Sequence, residues 1–109
     1  MVCHWSGVRT LIRPEGSSVD IIWTAHAEER QRQWHALLGI TRREVEDLLR
    51  NPAQVVPCDL GVAVAQAKRG DGLLRVLFVD MWGGRKVLTL YWTSKVSKYW
   101  REEYDANSL

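Results

Sequence analysis

Cysteine is scarce in this chain of 109 residues: Cys3 and Cys58 are the only two, too few for a disulfide framework. The three prolines, Pro14, Pro52 and Pro57, each fall where an element should end. No run approaches the roughly 20 apolar residues that a bilayer-spanning helix needs. Residues 1–19 hold no apolar stretch of the kind that marks a secretory leader. The expectation is a reducing, cytoplasmic setting with no membrane partner. Charge of one sign is not in excess either. The net charge of +2 allows a nucleic-acid partner without arguing for one. Metal-ligand spacing is missing too: Cys3 and His4 are adjacent, His26 and His35 stand far apart, and neither CxxC nor HxxxH occurs. No metal and no cofactor are expected.

What is present fits one domain with one core. Hydrophobic residues make up 46% of the chain, and its length leaves no room for a second core. Six tryptophans stand out. Tryptophan serves at interfaces and as a stacking platform, and it also fills cores, so composition leaves both uses open.

Residues 24–52 organise the rest. The first helix is expected over Ala25–Leu38, with Thr24 as N-cap, Glu28 and Glu29 in the electropositive first turn and Gly39 as its stop. The second opens on Thr41, with Glu44 placed to complete a capping box and Ile40 and Val45 spaced as a hydrophobic staple. It buries Val45, Leu48 and Leu49 and ends at Asn51-Pro52. Before this pair, Asp20–Trp23 reads as a strand. After it come a short strand over residues 54–56, a strand over Val62–Arg69, and strands over residues 73–81 and 86–93, turned at Gly70-Asp71-Gly72 and Gly83-Gly84. Ser94 is placed to cap a final helix containing Val96, Tyr99, Trp100 and Tyr104. Residues 1–19 read as an appended, partly mobile arm, and residues 20–109 as a single domain.

The fold class is therefore α+β. Two N-terminal helices pack on a four- or five-stranded, mainly antiparallel sheet in the order strand, helix, helix, strand, strand, strand, with a C-terminal helix. With simple two-residue turns, one sheet face carries Leu74, Val76, Phe78, Val87, Thr89 and Tyr91. The other carries Gln66, Arg75, Leu77, Val79, Leu88, Leu90 and Trp92. Neither face is clearly polar, so something besides the helical pair must cover the second one. A bulge would redistribute these residues.

Two groups of residues suggest chemistry. His26 and Arg30 lie four apart at the start of the first helix, on one side of it, where the helix end attracts anions. Together they can grip a phosphate and move a proton, as RNA cleavage without metal requires. Equally, His26 can bond a backbone group, and Arg30 can pair with Asp20, Glu29 or Asp47. The second group is Thr89, Tyr91, Thr93, Lys95 and Lys98, with Arg75 among the cations of the meander. Tyr91 can stack on a base or pass a proton, and the lysines can hold backbone phosphates. A sheet tyrosine with solvated lysines is the plainer alternative.

The run Thr24-Ala25-His26-Ala27, then Arg30, then Gly39-Ile40-Thr41, an amphipathic helix and Asn51-Pro52 resembles a domain-of-unknown-function family marked by an HA-x-x-R helix and a GI-(S/T) helix. That family is similar to the RelE-like and BrnT-like toxins of toxin–antitoxin pairs, the Barnase–EndoU–Colicin–RelE fold. Gly72-Leu73-Leu74-Arg75-Val76-Leu77 and Val87-Leu88-Thr89-Leu90-Tyr91 resemble its later strands, so the likeness covers roughly residues 20–93. It implies a RelE-like domain that cuts RNA without metal, free or on the ribosome, under the control of an antitoxin. The positions carried over are His26, Arg30, Thr89 and Tyr91. His26 would be general acid or base, Arg30 would stabilise the phosphorane and Tyr91 would assist. Arg75, Lys95 and Lys98 would bind the RNA backbone. Two other readings stay open on the same fold: an interaction module forming a homo-oligomer or binding a partner protein, and a nucleic-acid-binding regulator that does not cleave.

Overall fold

The computed structural model describes residues 19–101. The arm expected over residues 1–19 lies outside them apart from Val19, as do Tyr104 and the C-terminal tail. The elements run β1 (Asp20–Trp23), α1 (Ala25–Leu38), α2 (Arg42–Arg50), β2 (Gln54–Pro57), β3 (Val62–Arg69), β4 (Gly72–Met81), β5 (Gly84–Thr93) and α3 (Val96–Tyr99). The class is α+β, with a five-stranded sheet in the order β1-β5-β4-β3-β2. β1 runs parallel to β5, and the other pairings are antiparallel, so the sheet is mixed.

Local chemistry sets the helix boundaries. Thr24 Oγ1 accepts the Ala27 N–H at 3.1 Å and donates to the Val87 carbonyl at 2.8 Å, so one hydroxyl caps α1 and ties its start to β5. Gly39, at φ 73, ends α1 in a conformation that side chains resist. Thr41 Oγ1 accepts the Glu44 N–H at 3.0 Å. The expected capping box is only half realised, because the Glu44 carboxylate pairs with Arg69 on β3 instead. The staple residues Ile40 and Val45 are both fully buried.

The core lies between the helical pair and one face of the sheet. Ala27, Ile40, Val45, Leu48 and Leu49 pack there on Ala65, Leu74, Val76, Phe78, Val87 and Leu90. Each large apolar side chain so buried contributes about 1.5–3 kcal/mol. The register of β5 corrects the expected distribution of side chains. Leu77 pairs with Thr89 but Phe78 with Val87, which leaves Leu88 as a bulge. Past the bulge the alternation is inverted. Leu90 and Trp92 join Val87 under the helices, while Thr89 and Tyr91 turn to the other face with Arg75 and Leu77.

The C-terminal helix is also shorter than expected. α3 is a single turn that stops before Trp100, whose φ −76 and ψ 133 are extended. Its N-cap position is Lys95 rather than Ser94, with no side-chain cap bond. The helix stops because side chains of the sheet take the backbone groups that would continue it: Gln66 Nε2 donates to the Tyr99 carbonyl, and Gln54 binds both backbone groups of Arg101. No helix among the described residues is long and apolar enough to cross a membrane.

Candidate nucleic-acid interface

On the face turned away from α1 and α2, one row of side chains crosses four strands. Gln54 on β2 pairs with Gln66 on β3, Gln66 with Arg75 on β4, and Arg75 with Tyr91 on β5. Directly opposed residues present their side chains close together on the same face. The polar groups of this row are joined throughout. Arg75 Nη1 donates to the Tyr91 hydroxyl, and Arg75 Nε donates to Gln66 Oε1 at 2.8 Å. Gln66 Nε2 donates to Gln54 Oε1 at 2.8 Å and to the Tyr99 carbonyl at 3.1 Å.

Three of the row are buried, with relative exposures of 4% for Gln54, 0% for Gln66 and 8% for Arg75, and Tyr91 is half-buried. Burying a guanidinium is costly unless its donors are met. Here the glutamine oxygen and the tyrosine hydroxyl meet two of them, and the Tyr99 ring covers the cation at 4.0 Å. Among the described residues no carboxylate pairs with Arg75. Its charge is met only by neutral acceptors and aromatic faces.

Residues 94–101 complete the cluster. Tyr99 meets Tyr91 edge to face at 6.5 Å between ring centroids. Lys98 Nζ lies 5.2 Å from the Tyr99 ring centre, and Lys68 Nζ lies 4.7 Å from that of Trp100. Burial by itself would raise the Tyr99 pKa. The Lys98 charge, hydrogen bonds from Tyr91 and Lys98, and the charge of Arg75 outweigh it and hold the phenol below its ordinary value. The cluster thus joins a fixed buried cation, two phenols, a surface ammonium and an aromatic platform. Such a set can bind an anion and move a proton. The chain matches no family model, no curated protein and no solved structure. The site stands on its geometry alone.

The site residues expected from sequence divide between the two faces. Arg75, Thr89 and Tyr91 share the polar face, and Lys98 reaches it through Tyr99. Lys95 is exposed in the connection leading to α3. His26 and Arg30 belong to α1, on the opposite side of the sheet, so His26, Arg30 and Tyr91 are not brought together. His26 is exposed. Arg30 pairs with none of its expected carboxylates: Glu29 binds Arg32, Asp47 binds Arg43, and Arg30 Nη1 donates to Gln33 at 3.1 Å. Arg30 Nε and Trp34 Nε1, one helical turn apart, are buried without partners. Sequence reasoning missed Gln54, Gln66 and Tyr99 as members of the site. One signal was available: Arg75 interrupts the run Leu73-Leu74-Arg75-Val76-Leu77, and a charge inside such a strand needs polar neighbours in the adjoining strands.

Proposed function

We propose that this chain is a metal-independent endoribonuclease of the RelE-like toxin kind, acting through Arg75, Tyr91 and Tyr99 on the sheet face opposite the helices. The observation that carries the reading is the buried Arg75 guanidinium, held by Gln66 and Tyr91 and covered by Tyr99, with no carboxylate beside it among the described residues. A phosphate is the anion such a cation lacks.

In this reading the Tyr99 phenolate accepts the proton of a ribose 2′-hydroxyl. The 2′-oxygen attacks phosphorus, Arg75 neutralises the charge gathering on the phosphorane, and the 5′-oxygen leaves with a proton from the Lys98 ammonium. Tyr91 holds the guanidinium and meets the Tyr99 ring edge to face. The products are a 2′,3′-cyclic phosphate and a 5′-hydroxyl. Lys95 and Lys68 face the RNA backbone, and Trp100 offers a stacking surface. His26 and Arg30 have no part in this step. A small acidic antitoxin is the partner implied, its carboxylates meeting the cations of this face.

The test is cleavage of total RNA and of translating ribosomes in EDTA, beside Arg75→Ala, Tyr99→Phe and His26→Ala. The expected result is chelator-resistant cleavage that falls at least about a hundredfold in the first two and persists in His26→Ala. Cleavage lost in His26→Ala and kept in Tyr99→Phe would move the chemistry to α1. Salt-dependent binding without product would leave a nucleic-acid-binding regulator.

A second reading, an interaction module, rests on Trp82. This residue is 99% exposed at the β4–β5 turn, beside the partly exposed Met81. An indole left wholly in water suits a protein partner. Trp82→Ser should then lower the apparent mass in sedimentation or abolish capture of a partner, with RNA cleavage unchanged.

A further inference from the structure

The backbone leaves β5 at Thr93 and returns across the polar face as residues 94–101. Little in its own structure holds it there. α3 is one turn with no side-chain cap, and beyond it the backbone is extended. The segment is held by the sheet instead. Gln54 Oε1 accepts the Arg101 N–H at 3.1 Å while Gln54 Nε2 donates to the Arg101 carbonyl at 3.1 Å. One carboxamide therefore binds one residue's backbone twice, as a neighbouring strand would. Gln66 Nε2 adds the bond to the Tyr99 carbonyl, and its oxygen is committed to Arg75 Nε. These bonds fix the orientation of both amides: an arginine N–H and a backbone N–H can only donate, so the atoms they face must be the oxygens.

We propose that Gln54 and Gln66 are positioning residues, a carboxamide clip that holds residues 94–101 on the sheet so that Tyr99 rests against Arg75. The inference deepens the ribonuclease reading and rests on it for its catalytic consequence. The clip is strong for so short a segment because both glutamines are shielded from water, where an unmade hydrogen bond is not replaced. It also reaches the cation directly. Gln66 touches Arg75 and the Tyr99 backbone at once, so the guanidinium and the phenol are set by one side chain. Losing the clip would free Tyr99 from both Arg75 and Tyr91 while the apolar core on the other face stays as it is.

The experiment compares wild type, Gln54→Met and Gln54→Glu by three readouts. Methionine keeps the shape and makes no bond to Arg101. Glutamate keeps the acceptor for the Arg101 N–H and for Gln66, loses the donor and adds a charge. Amide hydrogen exchange should show Arg101 exchanging about tenfold faster in Gln54→Met, with Gln54→Glu between the two. The amides of Val76 and Leu90 should keep their protection, which establishes that the variant is folded. Tyrosine carbon NMR should show the Tyr99 phenol titrating at higher pH once released from Arg75 and Tyr91. The pH–rate profile of RNA cleavage should lose kcat at neutral pH and move its rising limb upward, with KM little changed. A merely structural glutamine would not move that limb. Unchanged Arg101 exchange in Gln54→Met overturns the clip. Faster Arg101 exchange with an unmoved Tyr99 titration overturns the positioning role. If wild type cleaves no RNA, the ribonuclease reading falls, and exchange and titration still decide whether the glutamines position Tyr99.

Discussion

The two faces of the sheet are covered in different ways. Under α1 and α2 the contacts are apolar: Ala27 and the partly buried Trp34 come from one helix, and the stripe Val45, Leu48 and Leu49 from the other. On the other face a short segment is tied down by amide and guanidinium bonds to Gln54, Gln66 and Arg75. Apolar burial is non-directional and adds up with area; buried polar bonding is directional and fixes particular atoms. One face therefore supplies most of the stability. The other supplies a defined arrangement of a cation and two phenols.

The sharpest way to break this contrast is to remove Phe78, which is buried on the helix face with Arg85 stacked on its ring at 4.5 Å. Phe78→Ala should cost about 3–5 kcal/mol in chemical denaturation. Any loss of RNA cleavage should follow the unfolded fraction and vanish in conditions that restore folding. A cleavage defect in fully folded Phe78→Ala would mean that the two faces are coupled.

Gly72 gives the next largest effect and tests the same face where β4 begins. A Cβ there would collide with the Thr93 carbonyl and the Trp92 ring. The Trp92 indole lies across this glycine and donates to the Arg69 carbonyl at 3.0 Å. Gly72→Ala should therefore cost about 1–3 kcal/mol, read as a lower Tm. It should also raise tryptophan fluorescence sensitivity to quenchers as Trp92 is pushed out.

How far sequence could reach follows the same division. Both helices, their caps and the hairpin turns rest on local signals: Thr24 and Thr41 as caps, Gly39 as a stop, turns at Gly70-Asp71 and before Gly84. Short-range chemistry sets these features, so they can be read residue by residue. The polar row depends on register, which is a long-range property. The bulge at Leu88 alone decides that Tyr91 faces Arg75 instead of Val87's side of the sheet. No local signal in Val87-Leu88-Thr89-Leu90 announces it. His26 and Arg30 show the same limit. Their spacing on α1 places them on one side of the helix, but spacing says nothing of which sheet face the helix covers. Tyr99 was legible only as part of a helix, because the glutamines that end that helix lie 33 and 45 positions earlier in the chain.

Arg75→Met sharpens the comparison from the polar side. It removes a buried cation whose donors, among the described residues, meet neutral acceptors. Methionine of similar length fills the space but leaves the Gln66 Oε1 buried without its donor. Stability should therefore fall by about 1–3 kcal/mol, short of the Phe78→Ala loss, while chelator-resistant RNA cleavage disappears. A large stability loss with cleavage retained would show that the row is scaffolding and would return the search for a site to α1.

The smallest effects should appear in the pH dependence of stability, and the two sides of the molecule should occupy opposite ends of it. Glu29 on α1 accepts from Arg32 and Gln33, and the Arg32 charge adds to them, so its carboxyl sits below the usual value. A depressed carboxyl contributes stability that is complete above the unfolded value of about 4.3 and is lost as pH falls through the folded one. Burial opposes ionisation of Tyr99, but Lys98, Tyr91 and Arg75 prevail, and its folded value is depressed too. Its contribution is complete above the unfolded phenol value of about 10 and is lost as pH falls through the folded one. Denaturation followed against pH should thus lose an acid limb in Glu29→Gln and an alkaline limb in Tyr99→Phe, each variant leaving the other's limb intact. Salt separates them further. The Glu29–Arg32 pair is exposed and should fade as ionic strength rises; the hold of exposed Lys98 on Tyr99 should fade with it, while the part due to buried Arg75 should persist. If both limbs faded alike in salt, the polar face would be as open to solvent as the outer surface of α1. It could then hold no preformed site.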